Sequence, residues 1–240
     1  MIYTVIVNGY DRLIEPIEAP GWSFVCFTDG GPTSWRARLG LSKWEVRQFS
    51  SDAPTPTLRS RAPKILPHKY LPEFDYSIYI DGNAFFLKDP NNLVKALEAP
   101  RFGAGLHRFR NTIFQELDEC NRLGMAAPEV LENQRRAYLN DGCPSDLTLL
   151  ENNLLLRAHN DPSVIELNEA WWQELNTHAA RDQLSLPYAA WKLGFDISSF
   201  TVNLKYSHFS TKAHYRSVWL KCARSLKKRL SAAASSQSRG

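Results

Sequence analysis

The sequence predicts a single α/β domain built on a covered, largely parallel sheet. Two continuous apolar runs, Ile2 to Val7 and Ser23 to Thr28, each close on polar turn residues. They lack the alternation of a half-exposed strand and read as buried parallel strands. A third stretch, Tyr76-Ser-Ile-Tyr-Ile-Asp-Gly-Asn-Ala-Phe-Phe-Leu87, reads as a buried strand that ends abruptly on a carboxylate and an amide. The length of 240 residues suits one sizeable domain better than two.

Strand one ends at Asn8-Gly9-Tyr10-Asp11 and strand two at Asp29-Gly30-Gly31-Pro32. Trp44 to Phe49 alternates and gives a third strand with one exposed face. Three strands in fifty residues, each leading into polar turns, resemble half of a nucleotide-binding sheet. The first turn is not Gly-x-Gly-x-x-Gly, so the dinucleotide fingerprint is absent.

Ser50 to Thr57 reads as a loop, followed by a basic stretch with Arg59, Arg61 and Lys64. These three offer cations to a diphosphate, Arg in bidentate fashion, or else form a solvated basic turn. A carboxylate at the end of a buried strand is costly unless paired. Asp81-Gly82-Asn83 read alone is an ordinary tight turn. It also offers two hard oxygen ligands suited to Mn²⁺ or Mg²⁺.

Asp89-Pro90 starts a short helix over Asn91 to Glu98, with Asp as N-cap and Pro at the first helical position. Phe102 to Leu106 reads as a strand ending in His107-Arg108. Thr112 caps a helix through Leu123 with Gln115 as capping-box partner, and Pro128 opens another through Asn140. Leu147 to Leu156 is apolar except for Thr148 and the Glu151-Asn152-Asn153 interruption, which fits a tight turn between two short strands. Pro162 opens a helix whose Val164, Leu167, Trp171 and Leu175 form a core stripe. Asp182 is a natural N-cap for the helix ending at Leu193, with Gly194 beyond it. Phe195 to Phe209 reads as short strand pieces.

The domain is expected over residues 1–210, with 211–240 a basic C-terminal helix and a disordered tail. Tyr215 to Leu230 has a basic amphipathic pattern that fits either a docked helix or peripheral contact with the inner face of an acidic membrane. The net charge of +4 is outweighed by the basic residues of those last thirty positions. The body is therefore near neutral and offers no general nucleic-acid surface. Four scattered cysteines without zinc spacing, an N-terminus that enters a strand pattern at once, and the lack of a bilayer-length apolar run give the expectation of a reduced, cytoplasmic protein.

Several motifs now stand in order: Tyr3-Thr-Val-Ile-Val-Asn-Gly-Tyr-Asp11, Phe24-Val-Cys-Phe-Thr-Asp29, Arg59-Ser-Arg-Ala-Pro-Lys64, Pro67-His68, Tyr79-Ile-Asp-Gly-Asn83, His107-Arg108 and Arg181-Asp-Gln-Leu-Ser185. Together they resemble the glycosyltransferase-like domain of plant mucilage and pollen-turgor proteins and many bacterial proteins, over roughly residues 3–194. The resemblance implies a GT-A-like nucleotide-binding mixed β-sheet flanked by helices. It implies transfer of a sugar from a nucleoside-diphosphate sugar, a UDP-sugar in the first instance, to a glycan or glycolipid acceptor.

On that resemblance Asp81 and Asn83 stand where the metal-binding Asp-Xaa-Asp of such enzymes stands, the second carboxylate replaced by a neutral amide. His208 is the expected third ligand for Mn²⁺ or Mg²⁺. Asn8, Tyr10, Thr28 and Asp29 would hold the nucleoside, and Arg59, Arg61 and Lys64 the diphosphate, beside Gly82. Asp182 is expected near the anomeric carbon, accepting the acceptor hydroxyl's proton or stabilising an oxocarbenium-like centre, with Arg181 and Glu151 as the other catalytic candidates. Glu151 and Asn152 are candidates for sugar or acceptor hydroxyls, and His107 and Gln183 for binding the donor. A phosphatase of the haloacid-dehalogenase type is set aside, because its nucleophilic Asp would fall at Tyr79. A nucleotidyltransferase would need a Gly- and Arg-rich first loop, which residues 8–11 are not. A non-catalytic sugar-nucleotide or carbohydrate-binding relative stays open.

Overall fold

A computed structural model describes residues 1–30 and 34–215. In chain order the elements begin β1 (Ile2–Ile6), β2 (Phe24–Thr28), α1 (Trp35–Arg38), β3 (Glu45–Gln48), α2 (Pro56–Ile65) and α3 (Pro67–Tyr70). They continue β4 (Ser77–Ile80), β5 (Ala84–Phe86), α4 (Pro90–Ala96), β6 (Phe102–Leu106), α5 (Ile113–Arg122) and α6 (Pro128–Asn140). Then follow β7 (Leu150–Arg157), α7 (Pro162–Thr177), α8 (Asp182–Leu193), β8 (Ser198–Phe200), α9 (Val202–His208) and β9 (Phe209–Thr211).

Seven strands form a mixed sheet in the order β3-β2-β1-β4-β7-β6-β8, and β5 pairs with β9 in a small ribbon. β1 is parallel to both β2 and β4, whereas β7 runs antiparallel to both its neighbours. The chain first builds outward from β1 to β3, then returns to the other side of β1 with β4. That reversal is a topological switch point, where the carboxyl ends of two adjacent strands diverge and leave a crevice. Because β7 is reversed, its first residues lie at the same edge as the ends of β4 and β6.

Helices cover both faces, as the unbroken apolar strands require. On one face Tyr3, Val5, Phe27, Tyr79 and Leu155 pack with Ile65, Val164, Leu167, Trp171 and Leu186. On the other, Ile2, Ile6, Cys26, Ile78 and Leu154 pack with Leu13, Trp44, Leu93, Phe200 and Phe209. The α/β expectation, a mixed sheet flanked by helices, holds. So do the caps: Asp89 accepts from Asn91 N, Thr112 and Gln115 close a capping box, and Gly194 ends α8 at φ 63°.

Three segments differ from expectation. The basic stretch after Thr57 is not a turn but α2 and α3, started by Thr55 accepting from Leu58 N with Pro56 next. The polar triplet at 151–153 does not separate two strands; it lies inside β7. Between Ala104↔Leu155 and Gly105↔Glu151 the register with β6 shifts, and this bulge accommodates Asn152 and Asn153. Residues 202–208 form a helix, α9, where strand pieces were expected. Packing continues past residue 210, since β9 pairs with β5 and Tyr215 N donates to Asp11. The basic amphipathic pattern beyond Tyr215, and the membrane contact expected of it, lie outside the described residues. Among the described residues no helix is long and apolar enough to cross a membrane.

Candidate active site

At the switch point between β1 and β4 lies a cavity of about 520 Å³, walled by Val7, Asn8, Tyr10, Arg61, Asp81 and Arg181 among others. Its first wall is the turn after β1. Tyr10 N donates to Val7 O at 3.2 Å, and Asn8 and Gly9 both have positive φ, at 55° and 57°. Asn and Gly are the residues that tolerate this conformation at adjacent positions. Asp29 Oδ1 accepts from Asn8 N at 2.8 Å, and Thr28 Oγ1 accepts from Gly30 N. Asn8 and Tyr10 face the cavity, while Asp29 braces their turn and Thr28 holds the turn after β2.

The second wall is α2. Arg61 and Lys64 are one turn apart and share a face. Lys64 is 2% exposed; its Nζ lies 2.5 Å from Asp182 Oδ2 and 3.6 Å from Asp81 Oδ1. Arg61 Nε lies 3.5 Å from the same Asp182 oxygen. The Lys64 carbonyl, freed at the end of the helix, accepts from Tyr3 Oη at 3.1 Å and from the buried Arg157 at 2.7 Å. This fixes the C-terminal turn of α2, where a cation is favoured by the helix dipole. Arg59 does not line the cavity, and its buried Nε has no hydrogen-bond partner.

Asp182 opens α8, with Arg181 as N-cap rather than Asp182 itself. Its backbone carbonyl accepts from Asn152 Nδ2 at 2.9 Å and Trp171 Nε1 at 3.2 Å. Burial alone would raise the Asp182 carboxyl, but the charges of Arg61, Lys64 and Arg181 outweigh it and hold it well below the usual carboxylate range. A carboxylate held so low is a weak proton acceptor. Its evident effect is to hold two cations in place. Arg181 is itself held by two bonds to Glu116 Oε1, at 3.0 and 2.8 Å, and still lines the cavity. Gln183 is buried in the first turn of α8.

Beyond β4 lies a second polar cluster. Glu151 Oε2 lies 2.7 Å from Lys205 Nζ, and Tyr206 Oη donates to Glu151 Oε1 at 3.2 Å. Lys205 has no exposed surface and passes over Gly105, where a Cβ would sit 2.9 Å from Lys205 Cδ. Burial pushes the Lys205 ammonium below its ordinary value despite Glu151. His107, at the end of β6, accepts at Nδ1 from Phe109 N and Arg110 N, and burial lowers its pKa. Lys205 and Glu116 escaped the sequence reading. A lone Lys amid Phe200, Leu204, Tyr206 and Phe209, opposite a strand glycine, is the signal that would have found the first.

The expected metal set is not assembled. Asp81 Oδ1 accepts from Tyr79 Oη at 2.8 Å and faces Lys64. Asn83 lies in register with Lys212, giving its Nδ2 to Lys212 O at 2.5 Å while Asn83 O accepts from Lys212 N at 2.8 Å. His208 lies at the other end of the ribbon, where Leu87 N donates to His208 O. Four residues of strand separate the two levels, about 13 Å. His208 stands at the α9–β9 junction, and its Nδ1 is engaged by Leu204 O and Ser207. The histidine that reaches the cavity is His214, 2.9 Å from Asp11 Oδ2 and against the Tyr10 ring. Among the described residues no three His, Cys, Asp or Glu side chains converge as a metal site. The residues present do not fit the expected divalent ion.

Gly82 is required by close approach. A Cβ there would lie 2.9 Å from Ile6 Cγ1 and 3.3 Å from Asp11 Cβ. The absence of a side chain lets the Asp81 turn settle onto the end of β1.

No curated protein matches the chain. Among solved structures, the apo structure of the WbbM bifunctional glycosyltransferase is similar at 10% identity with a TM-score of 0.48. The similarity covers 83% of this chain and 38% of that one, so this chain spans well under half of that protein's length. A family model described as the TOD1/MUCI70 glycosyltransferase-like domain matches residues 44–216, which hold α2, the Asp81 turn, β7 and the start of α8. The chain belongs to the TOD1/MUCI70 glycosyltransferase-like domain family.

Proposed function

We propose that this domain transfers a sugar from a nucleoside-diphosphate sugar to a glycan or glycolipid hydroxyl, with the diphosphate seated in the cavity between β1 and β4. The observation that carries this reading is the pair of guanidiniums, Arg61 and Arg181, lining that cavity, with the buried Lys64 ammonium 3.6 Å from the cavity-wall carboxylate of Asp81. As the bond to the anomeric carbon breaks, negative charge gathers on the leaving diphosphate. Fixed cations at that point lower the barrier, because they need no reorganisation when the charge develops. Asp182 keeps Arg61 and Lys64 oriented through the event, and Glu116 does the same for Arg181.

Asn8 and Tyr10 stand where a nucleoside extending from the diphosphate would lie. On this reading Glu151 and His107, at the common edge of β7 and β6, would meet the sugar or its acceptor, and Asn152 would support the Asp182 backbone behind them. A second reading has a specific observation behind it. Asp182, at the start of α8, and Glu151, in the cluster beyond β4, are both held by buried lysines. Sugar-nucleotide binding without turnover would suit that arrangement.

The test is a panel of sugar nucleotides offered with oligosaccharide and glycolipid acceptors, with nucleoside diphosphate release as the readout and binding followed in parallel. Arg61→Gln and Arg181→Gln are expected to weaken binding of the active donor about tenfold or more each, the scale of a lost charge-assisted hydrogen bond. Binding with no release from any donor would favour the second reading. No binding of any sugar nucleotide would end both.

A further inference from the structure

The cavity carries fixed cations where the resemblance would place a metal ion. We propose that the donor diphosphate is bound without a divalent cation, its charge met by the guanidiniums of Arg61 and Arg181 that line the cavity, with the buried Lys64 ammonium beside the Asp81 carboxylate. This rests on the sugar-nucleotide reading above and goes beyond it.

The donor set carries the argument. A divalent ion at the end of β4 needs several hard oxygen ligands with negative charge. Asp81 supplies one carboxylate, and its Oδ1 already accepts from Tyr79 at 2.8 Å. Asn83 is neutral, and its amide is tied in register to Lys212. Asp11, the other carboxylate lining the cavity, is engaged at both oxygens, Oδ2 by His214 and Oδ1 by the Tyr215 amide.

Charge points the same way. Lys64 Nζ lies 3.6 Å from Asp81 Oδ1, shielded from solvent, so a divalent ion on that carboxylate would sit beside a buried positive charge with little screening. Lys64 cannot swing aside easily. Asp182 holds its ammonium, and Tyr3 and Arg157 hold its carbonyl. The ammonium therefore sits between two carboxylates, as a bridging metal would, but as part of the chain.

The experiment titrates nucleoside diphosphates into the full chain by calorimetry, once in EDTA and once with Mn²⁺. Paramagnetic resonance of Mn²⁺ reports whether the ion joins the complex. The expected result is binding in EDTA, tightened less than tenfold by Mn²⁺, with no protein-bound Mn²⁺ signal beyond that of the nucleotide. Asp81→Asn, which keeps an oxygen for Tyr79 and removes a negative charge beside the phosphates, is expected to tighten binding. A metal site predicts the opposite sign for that variant. Binding that needs Mn²⁺, or that gains tenfold or more from it and loses the gain in Asp81→Asn, overturns the proposal and leaves the sugar-nucleotide reading standing. If no nucleoside diphosphate binds under either condition, the sugar-nucleotide reading falls, and this proposal with it.

Discussion

Lys64 Nζ lies 2.5 Å from Asp182 Oδ2, with both side chains almost wholly shielded from water. The pair joins α2 to α8 across 118 positions of sequence. Removing one member of a buried pair leaves the other charge unpaired, which costs far more than the net worth of the pair. Asp182→Ala is expected to destabilise by about 3–5 kcal/mol in urea melts. Lys64→Met combined with Asp182→Leu should cost less than either single change, the sign of a coupled pair.

The same pair sets an acid limit. The folded Asp182 carboxyl is held well below its ordinary value, so near pH 4 the unfolded chain binds a proton that the folded chain does not. The stability from this group is present above the ordinary carboxylate pKa and is lost as pH falls, by up to about 1.4 kcal/mol per pH unit. Urea melts between pH 5 and pH 2 should show a shallower fall for Asp182→Asn than for the wild type. Equal slopes would remove the pair from the acid response.

Gly82→Ala tests the close approach of the Asp81 turn to β1. The added Cβ meets Ile6 in a closely packed strand, not a free chain end. An overpacking cost of about 1–3 kcal/mol is expected in thermal melts. Nucleotide affinity should change with it, because Gly82 and Asp81 form part of the cavity wall. A variant of wild-type stability and affinity would show that the turn has room to spare.

His214 lines the cavity, and its hydrogen bond to Asp11 raises its pKa. A raised pKa means the contribution is complete below the ordinary histidine value and is lost as pH rises through the folded value, above 6.5. The side chain is 41% exposed, so solvent screens the pair to below about 1 kcal/mol. Protection factors for the Tyr215 amide, which donates to Asp11 Oδ1, should drop between pH 6 and pH 8. His214→Gln should show low protection that does not change over this range.

Most of the fold was legible because its signals are local. Apolar runs closed by turns placed β1, β2 and β4, and side-chain caps at Asp89 and Thr112 placed α4 and α5. The errors arose where long-range packing overrode a local cue. The basic stretch after Thr57, read as a turn, lies in helices, although Thr55-Pro56 is a readable helix start; Pro63 stands inside α2. Val202, Tyr206 and Phe209 looked like strand residues, but Thr201 caps a helix there and Phe209 begins the strand paired with β5. In the candidate site, Arg61, Lys64, Asp81 and Asp182 were named from sequence and do meet in space. His208 was named for its position near the end of the domain. A helix and a strand in between decide which histidine reaches the cavity, and no local pattern shows that.

Glu151 and Lys205 give the last prediction, because their exposures are unequal. Lys205 is fully buried, whereas the Glu151 side chain keeps 17% exposure and the Tyr206 hydroxyl. Lys205→Met leaves a carboxylate that still has water and a donor. Glu151→Gln leaves an ammonium with no counter-charge in a closed site, and should cost more, about 2–4 kcal/mol. The two variants also differ in pH dependence. Burial already lowers the Lys205 pKa, and losing Glu151 lowers it further. Between that folded value and the ordinary lysine value the unfolded chain binds the extra proton, so Glu151→Gln should gain stability as pH rises from 7 toward 10. Lys205→Met has no such group and should show no such gain. Denaturant melts of both variants at pH 7 and pH 9.5 decide it, and parallel responses would mean that Lys205 is not held by Glu151.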